Sequence, residues 1–235
     1  GIVALYVSKY LDIKCVYELR NLVDEQIVVN RTELTNSDMI KMMSVQEKNV
    51  LNNVDQIITI NDYIKNKLVS ESFDENSIDV VSNGVDTTLF TPNTETRNQL
   101  RNKHNIKDTT TIIGYIGNIA HYEGIEYMIK SIKILKDENI DVKLIIIGEG
   151  PFKTEMLTLI DSLRINDHAI ILGKIDYRNI HKYYNMFDIV IYPRKPLDYC
   201  ISKSSSKLLE AMSMEKPIIL SNLQGCSNVI IDSET

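Results

Sequence analysis

The chain predicts an α/β fold with parallel sheets, arranged in two blocks. Two observations carry this. Short β-branched, apolar runs alternate along most of the chain with stretches whose apolar residues recur at three and four, the alternation that builds βαβ units. One run, "DVKLIIIG" (141–148), is apolar almost throughout, as a strand covered on both faces of a parallel sheet has to be.

In chain order, "IKCVYEL" (13–19) predicts a strand and 36–53 an amphipathic helix, with Met39, Ile40, Met43, Val50 and Leu51 as its apolar positions. "VDQIITI" (54–60) predicts a strand, 61–71 a helix with an Asn or Asp start, and "SIDVVSN" (77–83) a third strand. The segment after it, 83–92, opens with the turn dipeptide Asn83-Gly84 and ends at Pro92. A second series follows. "TTIIGYIG" (110–117) predicts a strand, and 123–138 a helix with Ile125, Met128, Ile129, Ile132 and Leu135 on one face. The strand 141–148 precedes a helix over 151–164, with Pro151 in its first turn, where a missing N–H is harmless. Strand 168–172, helix 177–186, strand 188–192, helix 205–214 and strand 216–220 complete the series. The two blocks join near 84–108.

With 235 residues, 43% of them hydrophobic, the chain has material for one large or two modest cores. The 26 Lys and Arg against 32 Asp and Glu argue against a general nucleic-acid binder. Cys15, Cys200 and Cys226 are odd in number and far apart, so neither a disulfide framework nor a metal site is expected, and a reducing cytosol fits. No apolar run is long enough to span a bilayer. Both ends read as cut, since the chain starts at Gly1 inside "GIVALYV" and stops just past an apolar run.

Against that acidic balance, "PRKPLDYCISKSSSKLLEAM" (193–212) gathers Arg194, Lys195, Lys203 and Lys207 before one helix. Open parallel sheets bind ligands beyond the carboxyl ends of their strands, where helix N-termini favour anions. Three such ends stand out: "GYIGNIAHYEG" with Gly114, Gly117 and Glu123-Gly124; "IIIGEGPF" with Gly148 and Gly150 flanking Glu149; and the cation stretch itself. All three are expected to converge on one crevice between the blocks, and a diphosphate there accounts for the cations. The plainer alternatives are tight turns for the glycines, a solvated face for the charges, and a surface pair for Lys207 and Glu210 at i+3. His104, His121, His168 and His181 have no partner at telling spacing and read as ordinary turn or surface histidines.

Five segments occur in a telling order: "VSNGVDTTLFTP" (81–92), "GYIGNIAHYEGIEYMIKSI" (114–132), "LIIIGEGP" (144–151), "YYNMFDIVIYPRKP" (183–196) and "KLLEAMSMEKPIILSN" (207–222). On these the sequence resembles the retaining family-four ("group 1") glycosyltransferases, and the resemblance implies two Rossmann-like domains of the B-type glycosyltransferase fold, both incomplete. "VYELRN" (16–21) is similar to the end of the acceptor domain in one branch. The implied division is 1–92 for the acceptor-side domain, 93–108 for a linker and 109–235 for the nucleotide-sugar domain. The implied activity is metal-independent transfer of a sugar from a UDP- or GDP-sugar, UDP favoured, to a glycan or lipid-linked acceptor, with no cofactor and no nucleic acid. The implied place is the cytoplasm or the cytoplasmic face of the membrane, with peripheral membrane association.

Carried over residue by residue, the family pattern makes Glu210 the ribose ligand, with Leu209 beside it. The loops around Gly117, Asn118, Glu123, Gly124, Gly148 and Glu149 would face the donor. Members commonly have Arg and Lys where this chain has Asn118 and Glu123. Arg194 and Lys207, with Lys195, would hold the diphosphate in their place, an Arg fork beside a Lys point charge. Arg20 stands where many members have His; it would orient sugar or phosphate, or pair structurally with Glu18 or Asp24. Ser202, Asn222 and Asn228 also depart from the acidic residues of the pattern. A non-catalytic nucleotide-binding remnant and a sugar-nucleotide epimerase of the same fold are the alternatives. A nicotinamide dehydrogenase lacks its G-x-G-x-x-G here.

Overall fold

The computed structural model describes residues 1–22, 38–203, 205–226 and 229–230. The chain forms two compact units: Gly1–Asn83 with Pro196–Ser204 and the residues from Asn222 on, and Gly84–Lys195 with Ser205–Ser221.

The first unit opens with helix α1 (Ile2–Leu11), which has no counterpart among the elements expected from sequence. Only Leu5 and Ser8 of it are buried, so its β-branched and aromatic residues show no helical stripe, and Asp12 ends it in a left-handed conformation. Strand β1 (Val16–Leu19) follows, then α2 (Asp38–Leu51), whose expected start at 36 lies outside the described residues. Strand β2 (Gln56–Thr59) leads into α3 (Asp62–Ser70), where the Asn61 side chain accepts from the Ile64 N–H at 2.9 Å as the expected N-cap. With β3 (Ile78–Val80) the strands pair in parallel in the order β1-β2-β3. Leu19, Leu51, Ile57, Ile64, Leu68 and Ile78 form the core.

The second unit begins with a helix inside the segment expected as a linker, α4 (Thr94–Lys103). Its sequence, TETRNQLRNK, has no apolar stripe to reveal it. What it buries is Arg101, 1% exposed, which donates to the Met186 carbonyl, the Asp188 carboxylate at 3.1 Å and the Lys107 and Thr110 carbonyls. Strand β4 (Thr111–Ile116), helix α5 (Ile125–Asp137), β5 (Val142–Ile147), α6 (Lys153–Ser162), β6 (Ala169–Gly173), α7 (Tyr177–Met186) and β7 (Ile189–Tyr192) follow as the alternation predicts. The chain then adds a short helix, α8 (Asp198–Ser202), to the first unit, where the Asn61 amide donates to the Ser202 carbonyl at 2.7 Å. Helix α9 (Ser206–Ser213) and β8 (Ile218–Leu220) return to the second.

Its five strands are all parallel, in the order β6-β5-β4-β7-β8. β4 and β5 are central and buried on both faces, which explains their unbroken apolar runs. Ile125, Met128, Ile129 and Ile132 press α5 against the sheet. Gly114 lets β4 pass so close to the Phe187 ring that a Cβ would have no room.

Candidate nucleotide-binding site

In the second unit, β4, β5 and β6 each run into glycine at or just beyond their carboxyl ends: Gly117, Gly148 and Gly173. The three turns are tied together. Gly117 N–H donates to the Ile147 carbonyl, Gly148 N–H to the Gly173 carbonyl, and Ile119 N–H to the Glu149 carbonyl, at 2.8–3.0 Å. Gly148 sits at φ 151°, and a Cβ there would strike the Gly117 carbonyl oxygen. Only glycine allows the first two turns to touch.

Above these turns lies a cavity of about 480 Å³. Gly117, Asn118, Gly148 and Glu149 line one side, and Lys174, Ile175, Tyr177 and Ile180 another. Ser206, Lys207 and Glu210 reach it from the start of α9. The structure therefore brings together Gly117, Asn118, Gly148, Glu149, Lys207 and Glu210 of the residues expected from sequence. Asn118 donates to the Tyr122 hydroxyl at 3.0 Å, and Glu149 pairs with Lys153 at 2.7 Å. Lys207 stands in the first turn of α9, where the helix N-terminus adds its own positive field.

Glu210 is 4% exposed. Burial pushes its carboxyl above the usual carboxylate range, while a hydrogen bond from Tyr184 at 3.0 Å and the Lys207 charge pull the other way. A carboxylate on the buried side of an amphipathic helix, between Leu208 and Ala211, is what packing alone would not select.

The remaining expected residues lie elsewhere. Arg194 does not line the cavity: its Nε donates to Glu123 Oε2 at 2.9 Å, with side chains 6% and 4% exposed. Lys195 pairs with Glu126 at 2.5 Å, and its N–H donates to the Tyr122 carbonyl. Gly124, at φ 70°, packs against the Pro193 carbonyl where no Cβ fits. So Arg194 closes on an acid of the β4–α5 connection and Lys195 on one in the first turn of α5. Leu209 is half-buried beside Glu210 and does not line the cavity. Lys203 lies over the Tyr199 ring and donates to its hydroxyl, in the first unit. Arg20, exposed in that same unit, donates to Asn83 at 2.9 Å and pairs with Glu18 at 3.6 Å, the structural partnership that sequence left open. Asp24 and Asn228 lie outside the described residues.

Lys174, Ile175, Tyr177, Ile180 and Ser206 were not anticipated. The signal for the first two was present: "ILGK" (171–174) repeats the strand-then-glycine pattern of the other two turns. Of the histidines, His121 lies tilted against the Phe152 ring and reaches Glu155, and His168 bonds the Val142 carbonyl. Among the described residues, no cluster of His, Cys, Asp and Glu could hold a metal ion, and no helix is long and apolar enough to cross a membrane.

Comparisons with known proteins agree with this architecture. The chain is 27% identical over 179 residues to an uncharacterized glycosyltransferase of Methanocaldococcus jannaschii, covering 74% of this chain and 44% of that one. It is 27% identical over 190 residues to the capsular polysaccharide biosynthesis glycosyltransferase CapM of Staphylococcus aureus, covering 76% and 46%. The chain thus spans about half the length of the curated relatives it matches. Among solved structures, Anabaena HepE in complex with UDP superposes with a TM-score of 0.78 at 16% identity, over 98% of this chain and 59% of that one. Sucrose-phosphate synthase from Thermosynechococcus elongatus gives 0.76 at 20% identity, over 98% and 57%. These likenesses establish the B-type glycosyltransferase fold. The family model described as "Glycosyl transferases group 1" matches residues 96–235, more than half the chain, and the chain belongs to that family.

Proposed function

We propose that this chain binds the nucleotide-sugar donor of a retaining, metal-independent glycosyltransferase, with a UDP-sugar as the favoured donor. One observation carries the reading: Lys207 and Glu210, one turn apart on α9, reach the same cavity as the glycine turns that end β4 and β5. A cation at a helix start suits a diphosphate, and a carboxylate suits paired ribose hydroxyls. Similarity to HepE, solved with UDP and with UDP-glucose, supports the donor class.

In this reading the Gly117 and Gly148 turns let the donor approach the backbone closely, and Lys207 faces the β-phosphate. As the sugar's C–O bond breaks, negative charge develops on the departing phosphate. A positive group fixed there lowers the barrier; the loss of one such donor costs about 2.7–4 kcal/mol. The departing phosphate then takes the acceptor's proton as the acceptor adds from the same face, which retains configuration. The acceptor is a glycan or a lipid-linked glycan, in keeping with relatives such as CapM and a lipopolysaccharide N-acetylglucosaminetransferase of Salmonella typhimurium. Work on such acceptors would take place in the cytoplasm or at the cytoplasmic face of the membrane, with peripheral association. A second reading, nucleotide binding without transfer, draws on the Glu123–Arg194 pair, which withdraws a cation from the cavity.

The test is calorimetric titration of UDP, GDP and ADP, with a transfer assay beside it. UDP is expected to saturate one site, and Lys207→Ala to weaken it by about 10–150-fold, the equivalent of a charged hydrogen bond worth about 1.5–3 kcal/mol. Failure of all three nucleotides to bind the folded chain would overturn the proposal. Binding without turnover of any UDP-sugar in the full-length protein would select the second reading.

A further inference from the structure

The buried carboxylate of Glu210 rests on a pair of phenols that come from other elements. Tyr184, on α7, places its hydroxyl 3.0 Å from Glu210 Oε2, 3.1 Å from the Tyr192 hydroxyl and 3.4 Å from the Lys207 carbonyl oxygen. Tyr192, at the end of β7, lies 3.3 Å from the same carbonyl. A phenol has a single proton to give. That of Tyr184 goes to the carboxylate, the nearest of its three acceptors and the only charged one. The Tyr192 proton is left for the Tyr184 oxygen or the Lys207 carbonyl, and either choice leaves the Tyr184 donation intact.

Neither ring is free to swing away. Tyr184 is fully buried, with Phe90 and Phe187 set edge-on to it at 6.0 and 6.1 Å, and Tyr192 meets Tyr115 at 6.1 Å. Tyr184 also follows Ile180 by one turn of α7, so the helix that forms the cavity wall carries the brace. A packing role alone needs no hydroxyl here: phenylalanine would fill the same space without a polar atom to satisfy.

We propose that Tyr184, seconded by Tyr192, is a positioning residue that holds Oε2 of Glu210 and so presents its other oxygen to the ribose hydroxyls of a bound nucleotide. This rests on the assignment of Glu210 as ribose ligand. The groups facing Glu210 are Lys207 on its own helix, Tyr177 and Tyr184 on α7, and Tyr192 on β7, with the Glu123–Arg194 pair beyond Tyr192. Burial opposes its ionisation, and the Tyr184 hydrogen bond is the largest influence favouring it, ahead of Lys207. Without that bond the carboxyl protonates at higher pH, and a protonated carboxyl gives up one acceptor site.

The experiment measures UDP affinity by calorimetry at one mildly acid and one mildly alkaline pH, in the full chain and in Tyr184→Phe, Glu210→Gln and the double variant. Tyr184→Phe is expected to weaken UDP about tenfold at the acid end and only a few-fold at the alkaline end. In the Glu210→Gln background the same change is expected to add less than about twofold, the non-additivity of a residue acting through another. A loss equal at both pH values and undiminished in that background would make Tyr184 a packing residue and overturn the proposal. If Glu210→Gln binds UDP as the wild type does, the ribose assignment itself fails, and the brace with it. Should Tyr184→Phe not fold, 3-fluorotyrosine at 184 keeps the ring and sharpens the donor. It is expected to move the acid loss of UDP binding to lower pH, and an unmoved profile would overturn the proposal.

Discussion

Glu123 accepts a hydrogen bond from Arg194 Nε at 2.9 Å, and both side chains are almost wholly removed from water. An arginine so placed is held by the protein before any ligand arrives. Its burial also means that removing one partner strands a charge in the interior, whereas removing both does not.

Glu123→Ala and Arg194→Ala are therefore each expected to cost about 3–5 kcal/mol of stability, and Glu123→Leu with Arg194→Met to cost less than either. Urea unfolding measures this directly. If Arg194→Ala instead left the unfolding midpoint in place and abolished UDP binding, Arg194 would be a ligand of the diphosphate and not a buried partner.

Glu210 supplies a pH prediction. Its carboxyl is raised above the ordinary 4.5 mainly by burial. Between the unfolded and folded values the native state then binds more protons than the unfolded one, so stability falls as pH rises through that window. Its favourable contribution is complete below the unfolded value and lost above the folded one. Glu210→Gln removes the buried charge and keeps an acceptor for Tyr184. It is expected to raise the melting temperature at neutral pH, with the gain vanishing as the pH falls below about 4.5, while weakening UDP. Melting curves across that range decide it; a variant less stable than wild type at neutral pH would mean that the ionised Glu210 is a net support of the fold.

The parallel sheets and most helices were legible because burial on two faces and burial on one face leave different apolar periods, as β5 and α5 demonstrate. Helix α4 was hidden because the residue it buries is Arg101, and α1 because it buries so little. At the site, the glycine turns and the Lys207–Glu210 spacing could be read directly. The closure of Arg194 on Glu123 could not: the partners are 71 positions apart, and charge alone does not say which acid a cation will meet. Tyr184 was equally invisible, since a tyrosine at a core position of α7 gives no sign that its hydroxyl serves another helix.

Gly148 tests whether the two glycine turns have to touch. Its φ of 151° lies where side chains are strained, and the atom a Cβ would meet is the Gly117 carbonyl oxygen, part of a backbone that cannot rotate aside. Gly148→Ala must therefore either bear the strain, of order 1–3 kcal/mol, or push the β4 and β5 turns apart. Separation would break the Gly117 and Ile119 hydrogen bonds that bind one turn to the other and would reshape the floor of the cavity. The variant is expected to melt lower and to bind UDP at least tenfold more weakly, about 1.4 kcal/mol. Gly84→Ala is the control, because a Cβ there meets nothing within 4 Å and the residue has no positive φ; it is expected to stay within about 0.5 kcal/mol of wild type. A Gly148→Ala protein that keeps both its melting temperature and its UDP affinity would show that the cavity does not depend on that close approach.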